Sequence, residues 1–485
     1  MRVYVTMNNM DLAYDEDRSI RIGIPVMGKG ATNHIHRPEI VDAFLERGVE
    51  LYFFVRPDYF DILHKYPSCH YVACDIPTVT GRGKTAAGFF EYWRNLYPAT
   101  DTGRRIRRRE LNSRRSCMAR LRNEILAWGA RSRKIMQMAL RIEERMVRDA
   151  ENVSINDNHL DCLLLLGIGT HGTQPESLFA RWARRNGIPV VQVVANYDGL
   201  SSKGFRGTDV GGLLVWGPAM RDDAVKLQGV PESQVNMIGA LRYDHLYSRE
   251  YPTRKAFLHQ LGLDPSRQTI LFAGGRNEYH YFEMLAAFEA FRQHDDQLQL
   301  VIRVYPKKGL LRSAAMRVFI RYARSLDGVY VSIADPSFED GVEDREVLAI
   351  EEEELWSLLK YCDVVVNLYS TIALEACLFD KPIINMWYFG NVGMTVQQPI
   401  YTPYPEIHHI RKFESYGAAE KATTREELID LIHQAIEHPE KRAEQRHLAV
   451  TKELGPLDGK VKDRLVDFCC SSASGIKSAN QMRAA

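Results

Sequence analysis

Apolar residues in this chain gather into short continuous runs separated by polar segments of helical period. The first, IRIGIPVMG (20–28), leads into the glycine-containing turn GKGATNHIHRP. PEIVDAFLERG then fits a helix, with Pro38 in its first turn and Gly48 at its end. VELYFFV (49–55) follows as a second strand. Strand, helix and strand at this spacing form a βαβ unit, which implies a parallel sheet.

The alternation breaks over 81–150 and resumes with LDCLLLLGIG (160–169), a helix through PESLFARWARRNG, and IPVVQVVA (188–195). GGLLVWG (211–217) and VNMIGAL (235–241) complete a first series. The pattern pauses over 245–268, and a second series follows: QTILFAGG, LQLVIRVYP (298–306), GVYVSIA (328–334), CDVVVNLYS and KPIINMW. Two such series predict an α/β chain of two doubly wound, Rossmann-like domains facing a central cleft. The expected divisions are 1–245 (with a helical insertion at about 81–150), 246–420, and a helical segment over 421–485. The last stretch, SSASGIKSANQMRAA, is expected to be disordered.

Charge changes the picture in one place. The 485 residues carry a formal net charge of +1, so no global signal points to nucleic acid. Residues 101–149 nevertheless hold 15 Arg or Lys against 6 Asp or Glu. That stretch is either a solvated helical face or a docking face for anionic lipid or a phosphorylated acceptor. Eight cysteines without CxxC spacing suit reduced structural thiols and argue against zinc. The start of the chain is unlike a secretory signal, and no run of about 18 apolar residues is present. The expectation is a cytoplasmic protein, able to sit peripherally at the inner face of a membrane.

In parallel α/β sheets, ligands bind beyond the carboxyl ends of the strands. CDVVVNLYSTIALEACLFDKPIIN (362–385) places Ser370 and Thr371 at such an end. Their hydroxyls either cap the following helix or bind a phosphate. Glu375, four residues beyond Thr371, shares its helical face, from which a carboxylate can accept bonds from both hydroxyls of a ribose. Gly274 and Gly275 end another strand, with Arg276 next. Arg303 lies within an apolar run and requires either a ligand anion or an acidic neighbour. In the first half, the strand-end turns supply Asn33, His34, His36, Gly169, Thr170, His171, Gly172 and Asp198. A histidine at a cleft edge suits a general base. No HxxxH or HExxH pattern occurs, and no metal or other cofactor is expected.

Several segments in order resemble nucleotide-sugar glycosyltransferases of the GT-B fold, with the related UDP-sugar 2-epimerases and polyglycerol-phosphate transferases. They are residues 160–199, GLLVWGPAMRDDAVKLQGVPESQVNMIGALRYD, QTILFAGGRN, LVIRVYPK and the 362–385 stretch. Tyr305 stands where the polyglycerol-phosphate transferases carry a histidine, and Asn367 where many retaining enzymes carry an acid. The resemblance therefore implies an inverting, metal-independent transfer from a nucleotide-activated sugar to a glycan or lipid-linked acceptor, in surface polysaccharide synthesis. Ser370 and Thr371 would hold the donor phosphates, Glu375 its hydroxyls, and Arg276 or Arg303 would help neutralise charge. His34, then His171, then Asp198 would act as base. A sugar-nucleotide 2-epimerase, a CDP-glycerol-type glycerophosphotransferase and a silent nucleotide- or carbohydrate-binding subunit are the alternatives.

Overall fold

A computed structural model describes residues 19–27, 37–57, 66–75, 78–112, 116–147, 151–152, 160–166, 174–207, 210–275, 278–293, 297–305, 308–311, 313–333, 345–388 and 407–484. The first domain contributes β1 (Arg21–Val26), β2 (Glu50–Val55), β3 (His70–Ala73), β4 (Thr78–Val79) and β5 (Glu151–Asn152). It continues with β6 (Cys162–Leu166), β7 (Val190–Val193), β8 (Gly212–Val215) and β9 (Val235–Met237). Seven of these form one sheet in the order β3-β2-β1-β6-β7-β8-β9, with every neighbouring pair parallel.

The second domain repeats the plan. Its strands are β10 (Gln268–Ala273), β11 (Leu298–Val304), β12 (Val329–Ile333), β13 (Val364–Asn367), β14 (Ile383–Met386) and β15 (Glu420–Ala422). They form an all-parallel sheet in the order β12-β11-β10-β13-β14-β15. All seven residues of β11 and all five of β6 are buried, because helices cover both faces of a parallel sheet. That double coverage is why the strands read as continuous apolar runs. Each sheet reverses its strand order once, at β1/β6 and at β10/β13, the crevice where such folds place ligands.

The 81–150 interruption is four helices: Gly81–Asn95, Asp101–Asn112, Cys117–Gly129 and Arg133–Val147. Antiparallel pairing of β4 with β5 closes its base. It has a small core of its own, with Leu96, Tyr97, Ala130, Met136, Leu140 and Phe205. A buried ion triad pins it to the domain body. Glu143 pairs with Arg94 at 2.9 Å and with Arg181, on the helix Pro175–Arg185, at 3.5 Å.

The helix Arg425–Glu437 buries Leu428 and Ile432 in the second domain's core. The last helix, Val461–Ala484, returns to the first domain and packs Val461, Leu465, Val466 and Cys469 with Ile22, Ile24, Val41 and Phe44. It extends through the terminal stretch expected to be disordered, which is corrected here to helix. The docked first turns supply the nucleus that an isolated polar tail lacks. Asp244 Oδ2 accepts from the backbone N–H of Val461 at 2.9 Å, so the crossover between domains caps this helix. Trp216, Tyr243 and Trp356 pack edge to face in sequence across the domain junction.

Candidate functional site

β13 ends at Asn367, and the chain turns through Leu368 and Tyr369 into the helix Ile372–Leu378. Asn367 is wholly buried and organises this turn. Its Oδ1 accepts from the Ser370 N–H at 3.0 Å and from the Ser370 hydroxyl at 2.7 Å, while its amide donates to Asn385 Oδ1 at 2.7 Å. Asn367 thus does positional work where retaining enzymes of similar pattern would carry an acid. Tyr369 adopts φ +52°, a conformation disfavoured for a bulky residue. Such strain persists where the surroundings impose it, commonly at functional turns. Ser370 and Thr371 are exposed beyond it.

The turn opens into a pocket at the domain junction. Ser370, Thr371 and Asn385 line it from the second domain's strand ends, Tyr197 from the turn after β7, and His409 from the helix His408–Ser415. Tyr197 donates from its hydroxyl to the His409 carbonyl at 3.3 Å, and the two rings meet edge to face at 5.5 Å. His409 Nδ1 lies 3.4 Å from the Ser201 hydroxyl. Burial lowers the His409 pKa to about 4, aided by Lys412 and His408 and opposed by the carboxylate of Asp198. The imidazole is therefore neutral at physiological pH, with a carboxylate near enough to stabilise its cation. Asp198 itself accepts from the Ser202 hydroxyl at 2.5 Å.

A buried charge network lies behind the pocket. Asp223 accepts from His408 Nε2 at 2.8 Å and from Lys412 Nζ at 2.8 Å. Lys412 also pairs with Glu453 at 3.2 Å, and Tyr416 donates to Glu453 at 2.8 Å. Burial pushes the Asp223 carboxyl up, but His408 and Lys412 outweigh it and hold it below the usual range. Asp223 comes from the first domain and the other groups from beyond β14, so the network fixes the helix bearing His409 across the junction.

The predicted residues divide into three groups. His34, His171 and Arg276 lie outside the described residues, as do Asn33, His36, Gly169, Thr170 and Gly172. Ser370 and Thr371 line the pocket, with Asp198 one residue beyond Tyr197. The rest are engaged elsewhere. Arg303, read as needing either a ligand or an internal acid, has the acid: it lies 3.1 Å from Glu354 and donates to the Ser332 hydroxyl at 2.6 Å. The glycine at 274 answers to packing. A Cβ there would lie 2.2 Å from the Tyr281 ring, whose hydroxyl donates to the Gly275 carbonyl at 2.9 Å. Glu375 is only 3% exposed and accepts from the Tyr243 hydroxyl at 3.0 Å, so it faces the crossover and does not line the pocket. A buried carboxylate requires donors, and the crossover supplies one. His409 and Lys412 escape the sequence reading; the one signal was the histidine pair opening an amphipathic segment, EIHHIRKFE.

No family model and no curated protein matches the chain. Solved structures do. A protein assigned as a UDP-N-acetylglucosamine 2-epimerase from Listeria monocytogenes aligns at TM-score 0.50 and 11% identity, over 93% of this chain and 95% of that one. A further UDP-N-acetylglucosamine 2-epimerase aligns at 0.48 and 12%, over 93% and 94%. A glycosyltransferase of kitacinnamycin aligns at 0.48 and 12%, over 94% and 99%. With the two all-parallel sheets and the returning last helix, the likeness to the Listeria protein defines the class: this is a two-domain α/β protein of GT-B fold.

Proposed function

We propose that the protein is a glycosyltransferase that moves a sugar from a nucleotide-activated donor to a hydroxyl of a glycan or lipid-linked acceptor, with inversion and without a metal, in surface polysaccharide assembly. One observation carries this reading: Ser370 and Thr371 share a junction pocket with Tyr197 and the ring of His409. The two hydroxyls lie at the end of β13, beside the β10/β13 crevice, where the fold favours binding of a ligand phosphate. Thr371 is exposed, and no hydroxyl partner for it occurs among the described residues. Ser370 would have to exchange Asn367 for the ligand.

In this reading a base takes the proton of the acceptor hydroxyl, whose oxygen attacks the anomeric carbon. The bond from that carbon to the diphosphate oxygen breaks on the opposite side, releasing the nucleoside diphosphate. His409, supported by Asp198, is the base that the described residues offer; His34 and His171 remain candidates by their strand-end positions. Hydroxyl donors fixed in advance would stabilise the departing phosphate charge. Glu375 would reach a ribose only by giving up Tyr243.

Product analysis with UDP-, GDP-, CMP- and CDP-linked donors and a panel of acceptors tests the assignment. Acceptor-dependent release of the donor's nucleotide (a nucleoside diphosphate from UDP-, GDP- or CDP-linked donors, CMP from a CMP-linked one) with a glycosylated product is expected. Isomerised donor formed without acceptor would replace the reading with an epimerase, transfer of glycerol phosphate would make it a glycerophosphotransferase, and binding without turnover a silent subunit.

A further inference from the structure

The insertion carries a surface that the donor site does not use. On the helix Cys117–Gly129, Met118, Leu121, Ile125 and Trp128 are 77%, 53%, 60% and 69% exposed. Their spacing of three, four and three residues places all four on one face. The opposite face supplies Asn123 and Ala127 to the insertion's interior. This helix is thus apolar on the side that faces solvent, the reverse of a normal surface helix. A second stripe, Met138, Ile142 and Met146, is exposed on the helix Arg133–Val147.

Basic side chains frame these stripes. Arg120 and Arg122 flank the first on its own helix, where Glu124 is the only acid. Arg131, Lys134, Arg141 and Arg145 are exposed around the second. Arg105, Arg108 and Arg109 are exposed on the helix Asp101–Asn112, which packs against Cys117–Gly129. Because the whole chain is only +1 while residues 101–149 carry 15 basic against 6 acidic side chains, the remainder is net acidic. An anionic surface would therefore attract this end of the molecule and repel the rest.

We propose that the insertion docks the first domain on an anionic lipid bilayer, with Met118, Leu121, Ile125 and Trp128 entering the headgroup boundary and the arginines resting on lipid phosphates. An exposed apolar helix face bordered by cations is the arrangement that holds interfacial helices in the plane of a membrane. Among the described residues no helix is long and apolar enough to span one, so attachment would be peripheral and reversible. Electrostatic attraction and apolar insertion act together, and neither alone gives stable binding. The proposal stands apart from the donor site: vesicle binding needs no nucleotide, and nucleotide binding needs no vesicle.

The test is co-sedimentation of the full chain with phosphatidylcholine vesicles, with and without about 30% phosphatidylglycerol. Binding should require the anionic lipid and weaken as salt rises. The triple variant Leu121→Ser, Ile125→Ser, Trp128→Ser should bind at least about ten-fold more weakly, with an unchanged circular dichroism spectrum. Should that variant misfold, Ile125→Ser alone serves, with a smaller loss expected. Reversing Arg108 and Arg109 to Glu should also reduce binding and flatten its salt dependence. The proposal is overturned if the wild type stays in the supernatant at low salt, if neutral vesicles bind equally, or if the serine variants bind as well as the wild type. A stripe-dependent dimer that ignores vesicles would likewise overturn it, making the occupant a second copy.

Discussion

The hydroxyl of Tyr243 donates to Oε1 of Glu375 at 3.0 Å, joining the crossover between the two domains to the helix that follows β13. Arg242 lies 3.9 Å from the same oxygen, and Asp244 caps the last helix, so three consecutive residues tie the crossover to both domains. The relative placement of the pocket walls depends on this tie.

Tyr243→Phe removes a donor from a buried carboxylate and should destabilise the protein by about 1–3 kcal/mol in chemical denaturation. Glu375→Gln should cost less in the Tyr243→Phe background than in the wild type, because a neutral amide tolerates the missing hydroxyl better. Strict additivity of the two changes would show that the pair is not coupled.

Thr371→Val keeps the shape of an exposed side chain and removes its hydroxyl. Donor affinity should fall about 10-fold or more, the worth of a hydrogen bond to a charged group, while the melting temperature stays put. Calorimetric titration with whichever nucleotide sugar binds the wild type decides the matter; equal affinities would remove Thr371 from the site.

His409→Gln should leave donor binding within a few-fold of the wild type yet lower turnover by about 10²–10⁴, the usual worth of a general base. Initial rates at saturating donor provide the measurement. Near-normal turnover would return the role to His34, His171 or Asp198.

Stability should fall as the solution is acidified. Burial lowers His409 to about 4 and, with Arg37 and Arg249 adding to it, His245 to about 3. The unfolded chain titrates these rings near about 6.5, so below that pH it binds protons that the native state refuses. Each histidine then removes up to about 1.4 kcal/mol per pH unit until its native value is reached. Unfolding free energies measured from pH 7 to pH 4 should show this slope, and His245→Phe should flatten it; a slope unchanged in that variant would exclude the ring as a source.

Glu143→Ala would remove the carboxylate shared by Arg94, which is fully enclosed, and Arg181, which is 2% exposed. Removing one member of a buried ion cluster costs about 3–5 kcal/mol. Limited proteolysis should show the loss first in the four-helix insertion, since Glu143 joins it to the domain body. Insertion cleavage as slow as in the wild type would mean that the apolar core alone holds it.

Much of the fold was legible because parallel strands covered on both faces, such as CLLLL at β6 and LQLVIRV at β11, can hardly be anything else. β3 and β15 went unread: they are edge strands, four and three residues long, and HYVA and EKA carry no buried run. The Ser370–Thr371 turn was also legible, since its position depends on local order alone. Asn367 was noted only as a missing acid, although its amide holds the turn together.

What the sequence determined by itself is whatever rests on neighbours along the chain: strand and helix periods, the turn after β13, and the basic character of the insertion. Tertiary structure decided the partners. Glu375 and Tyr243 are 132 residues apart, His408 and Asp223 are 185, and Arg303 reaches Glu354 across 51. A charged or polar side chain declares in the sequence only that it needs a partner once buried. Which group satisfies it, a neighbour from a distant segment or a ligand, is settled by the fold that brings them within 3 or 4 Å. The exposed face of the helix Cys117–Gly129 follows the same rule: helical period puts Met118, Leu121, Ile125 and Trp128 on one side, and the tertiary structure leaves that side outward.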